Sequence, residues 1–116
     1  TTAHTLSLHD ALPISTALGA FLTDRKDPPP NMDDFMDHID YMVGKIGIDH
    51  VGISSDFDGG GGIEGWRDAS ETMNVTTALK ERGYSDSEIE KLWGGNLLRV
   101  LDQVQEIAAK LQAEEL

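Results

Sequence analysis

Two carboxylates, Asp56 and Asp58, stand between a short apolar run and four successive glycines in the stretch Asp49-His50-Val51-Gly52-Ile53-Ser54-Ser55-Asp56-Phe57-Asp58-Gly59. The β-branched residues Val51 and Ile53 predict a strand over about 49–54. Its acidic groups then fall just past its C-terminal end, where parallel α/β enzymes hold their reacting side chains. A carboxylate there can exchange a proton with water, help to bind a cation, or cap nearby amides. Asp56 is the catalytic candidate. Asp58, Gly59 and Gly60 are candidates for a substrate loop or for support of the site, because glycine allows positive φ and close backbone approach. Asp58 is expected to organise that loop through side-chain-to-backbone hydrogen bonds.

Other readings of the same residues meet specific obstacles. A calcium loop would place Asp56 and Asp58 at its first and third positions and Gly61 at its sixth, but the twelfth, where a bidentate Glu is required, is Arg67. A phosphate-cradling loop needs its glycines to lead into Gly-Lys-Ser/Thr or directly into a helix, whereas Ile63-Glu64-Gly65-Trp66 follows here. His38 falls beside the apolar stripe of a helix and reads as a packed side chain. His50 opens the strand at the end away from the chemistry. Asn96 reads as a helix cap, and Trp66, Tyr84 and Trp93 as packing residues.

The elements that must position the carboxylates are mostly helices. After Pro28-Pro29-Pro30, Asn31 is a good N-cap with Asp33 and Asp34 in the first turn, and Phe35, Met36, Ile39, Met42, Val43 and Ile46 recur at helical spacing up to Gly47. This predicts a helix over 32–46. Residues 55–72 read as a long glycine-rich loop and 74–82 as a second helix ending at Gly83. Ser85 and Glu88 form a capping box for a short third helix, Gly94-Gly95 is expected to break it, and Asn96 to cap a last amphipathic helix. The single predicted strand lacks a partner, and unpaired buried backbone groups cost about 1–3 kcal/mol each. It is therefore expected to belong to a larger sheet.

Charge and composition narrow the function. The 116 residues carry 21 acidic against 9 basic side chains, a formal net charge of -12, which disfavours nucleic acid and anionic lipid as partners. No apolar run approaches the roughly 18 residues that span a bilayer, so no membrane segment is expected in this stretch. The absence of cysteine excludes thiolate ligands and fits a reducing cytoplasm.

Thr5-Leu6-Ser7-Leu8-His9-Asp10-Ala11-Leu12-Pro13-Ile14 reads as the translation of ACT CTT TCC CTA CAC GAC GCT CTT CCG ATC, a widely used sequencing-adapter oligonucleotide. Residues 1–15 are accordingly expected to be a non-native, adapter-derived segment, and 16–116 to be the evolved protein. His4, His9 and Asp10 then carry no function, and coding sequence is expected upstream.

Taken in order, His38-Ile39-Asp40-Tyr41, Gly47 through Gly59, Arg82-Gly83-Tyr84-Ser85 and Trp93-Gly94-Gly95-Asn96-Leu97-Leu98-Arg99-Val100-Leu101 resemble the C-terminal end of the membrane (renal) dipeptidase family over about residues 20–108, with Ser54 where many members have glycine. The resemblance implies an α/β fold, the C-terminal portion of a (β/α)8 (TIM-like) amidohydrolase barrel, represented here by one strand and the closing helices. It implies hydrolysis of dipeptides by an enzyme holding two Zn2+ ions bridged by a carboxylate and a water, with Asp56 beside the metal pair as proton acceptor and donor. The family's metal ligands fall outside this segment, so no metal ligand is assigned here, and the chain alone is expected to be inactive. A complete barrel takes roughly 250 residues. The alternatives are a non-enzymatic acidic α/β fragment and a calcium-binding loop protein. A homodimer stays open beside a monomer. The adapter reading predicts that resequencing the source locus without that oligonucleotide removes the ten codons, and finding them in the genome would contradict it.

Overall fold

The computed structural model describes residues 14–115, so of the segment 1–15 expected to be adapter-derived all but Ile14 and Ser15 lies outside the described residues. Strand β1 (Ile14–Thr16) leads to a one-turn helix α1 (Gly19–Leu22), helix α2 (Met32–Ile46) and strand β2 (Gly52–Ser54). Helices α3 (Thr72–Glu81), α4 (Asp86–Glu90) and α5 (Asn96–Glu114) follow. Short 3-10 turns lie at Ile48–His50 and Ala69–Glu71.

Helix α2 starts and stops at the predicted residues. The Asn31 side chain accepts from the Asp34 amide at 3.2 Å, and Asp34 accepts the Asn31 amide at 3.0 Å, a reciprocal cap. Arg25 donates to the same Asp34 carboxylate at 2.6 Å, and this bond is the main cause that holds the Asp34 carboxyl below its ordinary range. Phe35, Met36 and Ile39 turn inward from this helix to meet Val75 and Leu79 of α3, Ile89 of α4 and Leu92 in one core with Val51, Ile63 and Trp66. Trp66 packs edge-on to Trp93 with ring centroids 5.9 Å apart and also contacts Phe35 and Phe57.

Two sequence expectations change. The strand is shorter than predicted, because Ile48–His50 coil into a 3-10 turn after the positive-φ Gly47, and it has a partner. β1 pairs with β2 in parallel, Ile14 opposite Gly52 and Thr16 opposite Ser54, and the Ala17 amide extends the ladder to the Ser54 carbonyl at 2.9 Å. Ser15 is fully buried in β1, and its Oγ lies 3.0 Å from His38 Nδ1, which ties the strand to α2.

The second change is at Gly94-Gly95. The capping box at Ser85 and Glu88 forms as predicted, but the glycines do not break the helix. The backbone widens into a π turn over Lys91–Gly95 and continues directly into α5. Such a turn inserts an extra residue and rotates everything after it. It brings Asn96 inward instead of onto a helix end. Asn96 is buried, and its Nδ2 donates to the Ile48 carbonyl at 2.7 Å and to the Val51 carbonyl at 2.9 Å. Further along α5, Leu97, Leu98, Leu101, Val104 and Leu111 are exposed, although their spacing predicts a buried face. No helix among the described residues is long and apolar enough to cross a membrane.

The Asn96 amide satisfies two carbonyls where the chain enters β2, and an unpaired buried acceptor costs about 1–3 kcal/mol. Asn96→Ala is therefore expected to destabilise the fold by about 2–4 kcal/mol, measured by denaturant unfolding. A change below about 0.5 kcal/mol, the ordinary surface value, would contradict this.

Candidate functional site

The site is built at the C-terminal end of β2. Its strand end is held laterally by Ala17, the residue after β1, and the following loop folds back onto the same residue, because the Gly62 amide donates to the Ala17 carbonyl at 3.0 Å. Between these two bonds lie Asp56 and Asp58, both exposed and both in the left-handed region, with φ 55° and 65°. That conformation costs an L-residue with a side chain about 1–2 kcal/mol, and Asp is among the residues that best tolerate it. Two exposed aspartates on strained backbone therefore follow the strand, the kind of outlier that accompanies function.

What holds this backbone is the loop itself. The Asp56 carbonyl accepts two amides, from Gly59 at 3.0 Å and Gly61 at 2.9 Å, and the Phe57 amide donates to Ser55 Oγ at 3.3 Å. The sequence expects Asp58 to organise the loop through its side chain. The amides of Gly59, Gly61 and Gly62 go instead to backbone carbonyls, so the glycines themselves carry that task. Gly60 lies beside Leu18, where an added Cβ would stand 3.5 Å from Leu18 Cδ1.

The remaining predicted polar residues are structural in this arrangement. His38 is engaged with Ser15, and His50 lies in the 3-10 turn before β2. Asp40 accepts from Arg82 at 2.7 Å and from the Tyr84 hydroxyl at 2.6 Å, and Asp37 accepts from Arg82 at 2.8 Å. Burial, reinforced by the Asp40 carboxylate, pushes the Tyr84 phenol well above its usual range. At the foot of β2, Lys91 donates to the Asp49 carboxylate at 2.8 Å and holds its carboxyl below the ordinary range, while Arg99 donates to the Asp49 carbonyl at 2.7 Å. Asn96, expected as a helix cap, instead bridges the carbonyls of Ile48 and Val51, while Gly61 and Gly62, within the glycine run expected to allow close approach, donate to the carbonyls of Asp56 and Ala17.

A metal centre does not fit the residues in hand. Among the described residues no group of three or more His, Cys, Asp or Glu side chains is placed to hold an ion. An open depression of about 430 Å3 is lined by Gly19, Ala20, Thr23, Asp24, Arg25, Lys26 and Pro30, and it includes neither Asp56 nor Asp58.

Residues 4–115 match the family model for membrane dipeptidase (peptidase family M19). Dipeptidase tcpJ of Claviceps purpurea is 37% identical over 90 residues, 77% of this chain and 21% of that protein. The crystal structure of the probable dipeptidase PvdM from Pseudomonas aeruginosa is similar with a TM-score of 0.67 at 57% identity, over 69% of this chain and 20% of that one. A metallo peptidase from Rhodobacter sphaeroides, solved with a phosphinate mimic of the dipeptide L-Ala-D-Ala, is similar with a TM-score of 0.70 at 26% identity, over 81% of this chain and 27% of that one. The chain spans about a fifth of the length of the curated relatives it matches.

One exposed pair of carboxylates supplies too few ligands for tight binding. The purified 116-residue chain is expected to lose zinc on dialysis and to keep its circular dichroism unchanged through a calcium titration to millimolar levels. Stoichiometric retained zinc, or a saturable calcium transition, would contradict this.

Proposed function

The chain belongs to the membrane dipeptidase family, M19, a family of metallopeptidases, and from that membership we propose that its parent protein is a zinc-dependent dipeptidase of which this chain forms the C-terminal part. The observation that carries the proposal is the exposed Asp56 carboxylate, set on left-handed backbone immediately beyond β2. In a (β/α)8 barrel this is the catalytic end of a strand. The substrate class is small dipeptides, in keeping with the relatives named as dipeptidases.

Two zinc ions are what the resemblance implies for the complete enzyme, and their ligands would come from parts of the parent outside this chain. The contribution of the chain itself is a proton carrier. Asp56 accepts a proton from the attacking water and returns it to the departing amine, while its backbone stays fixed by the loop. Asp58, two residues further on, stands at the mouth of the same loop. Alone, the chain offers this carboxylate without the groups that would bind substrate or activate water, and the reading gives it no hydrolytic activity of its own.

In the intact parent protein, Asp56→Asn keeps the shape of the side chain and removes its basicity. We expect kcat to fall by about 10²–10⁴-fold with KM changed much less, the usual worth of a positioned acid–base group, and Asp58→Asn to cost far less. Zinc content and turnover both near wild type in Asp56→Asn would overturn the assignment.

A further inference from the structure

We propose that Gly59 and Gly61 are positioning residues for Asp56, acting on its side chain and on its backbone separately; this rests on the proton-carrier reading given above. The Asp56 carbonyl receives both the Gly59 and the Gly61 amides, and this double acceptance closes the turn that keeps φ of Asp56 at 55°. Gly61 can approach that closely only because it lacks a side chain. A Cβ at position 61 would overlap the Ser55 carbonyl oxygen and stand 2.6 Å from the carbonyl oxygen of Asp56, so any residue but glycine must displace the Ser55–Asp56 backbone.

Gly59 acts on the other half of the same residue. A Cβ there would stand 2.5 Å from Asp56 Oδ1 and 3.1 Å from its Cγ, with no backbone atom among its nearest contacts. The carboxylate therefore lies back over Gly59, and a methyl group at 59 must turn it elsewhere while the backbone remains. The adjoining Gly62 amide holds the loop to the Ala17 carbonyl, which fixes the turn to the residue just after β1. The glycine run is thus a mould around one aspartate.

The test uses the intact parent protein with Gly59→Ala, Gly61→Ala, Asp56→Asn and, as a control, Gly44→Ala in α2, where an added Cβ meets nothing within 4 Å. Displacing a reacting group by about 1 Å costs on the order of 10²-fold. Both loop variants are expected to lower kcat by about that factor with KM within about threefold, to alter the pH dependence of kcat, and to leave Gly44→Ala at wild-type activity. Amide hydrogen exchange of a peptide spanning 55–62 is expected to accelerate in Gly61→Ala and to stay near wild type in Gly59→Ala, which spares the backbone. Should Gly61→Ala fail to fold, Gly59→Ala alone decides through its kcat and pH profile. Wild-type kcat and pH profile in Gly59→Ala, or unchanged exchange in a folded Gly61→Ala, would overturn the proposal. Full activity in Asp56→Asn would instead overturn the proton-carrier reading, and the exchange measurement would still decide the mould.

Discussion

Two hydrogen bonds from one buried amide, Asn96 Nδ2 to the carbonyls of Ile48 and Val51, determine where β2 begins. The strand has only three residues and one described strand neighbour, so its own ladder supplies little orientation. Its entry is held by a helix more than forty residues away in sequence, with Arg99 on the Asp49 carbonyl as a second tie. Its exit is held by Ala17 and Gly62. A side chain just beyond the exit inherits its position from both ends, and that side chain is Asp56.

The motifs that carry the family resemblance turn out to be pairs of contacts. Asp40 of the His38-to-Tyr41 motif accepts from Arg82 and Tyr84 of the Arg82-to-Ser85 motif, which locks the α3–α4 turn against α2. Asp49, ahead of β2, meets Lys91 and Arg99, and Asn96 and Arg99 come from the Trp93-to-Leu101 motif. Exposed ion pairs are individually worth about 0–1 kcal/mol. Here the partly buried bonds of Tyr84 and Asn96 add direction to those pairs, and the result is a frame that fixes helices to the strand.

Much of this was legible in the sequence where a local rule decides. The spacing from Phe35 to Ile46 and the Asn31 cap place α2 correctly, and the Ser85 and Glu88 box marks the start of α4. The failures share a cause, which is that tertiary contacts overrode local chemistry. Residues 1–15 read as adapter-derived and so entered no element, yet Ile14–Thr16 pair in parallel with β2 and Ser15 is buried. Gly94-Gly95 looks like a helix breaker, but Leu92 in the core and the Asn96 amide on the Ile48 and Val51 carbonyls hold the chain helical through a π turn. Asp56 was legible as a candidate from its place after an apolar run. Its left-handed backbone and the two amides on its carbonyl were not, since they depend on how Gly59 and Gly61 fold back.

Through this short strand the hold of α5 on the foot of β2 passes to the loop that carries Asp56. Residue-resolved amide hydrogen exchange in the intact parent protein, comparing wild type with Asn96→Ala under native conditions, tests it most directly. The amides of Ala17, Gly61 and Gly62 are expected to lose protection together while those in the middle of α2 keep theirs. Unchanged protection at Gly61 and Gly62 in a folded Asn96→Ala protein would show that the loop stands independently of the helix.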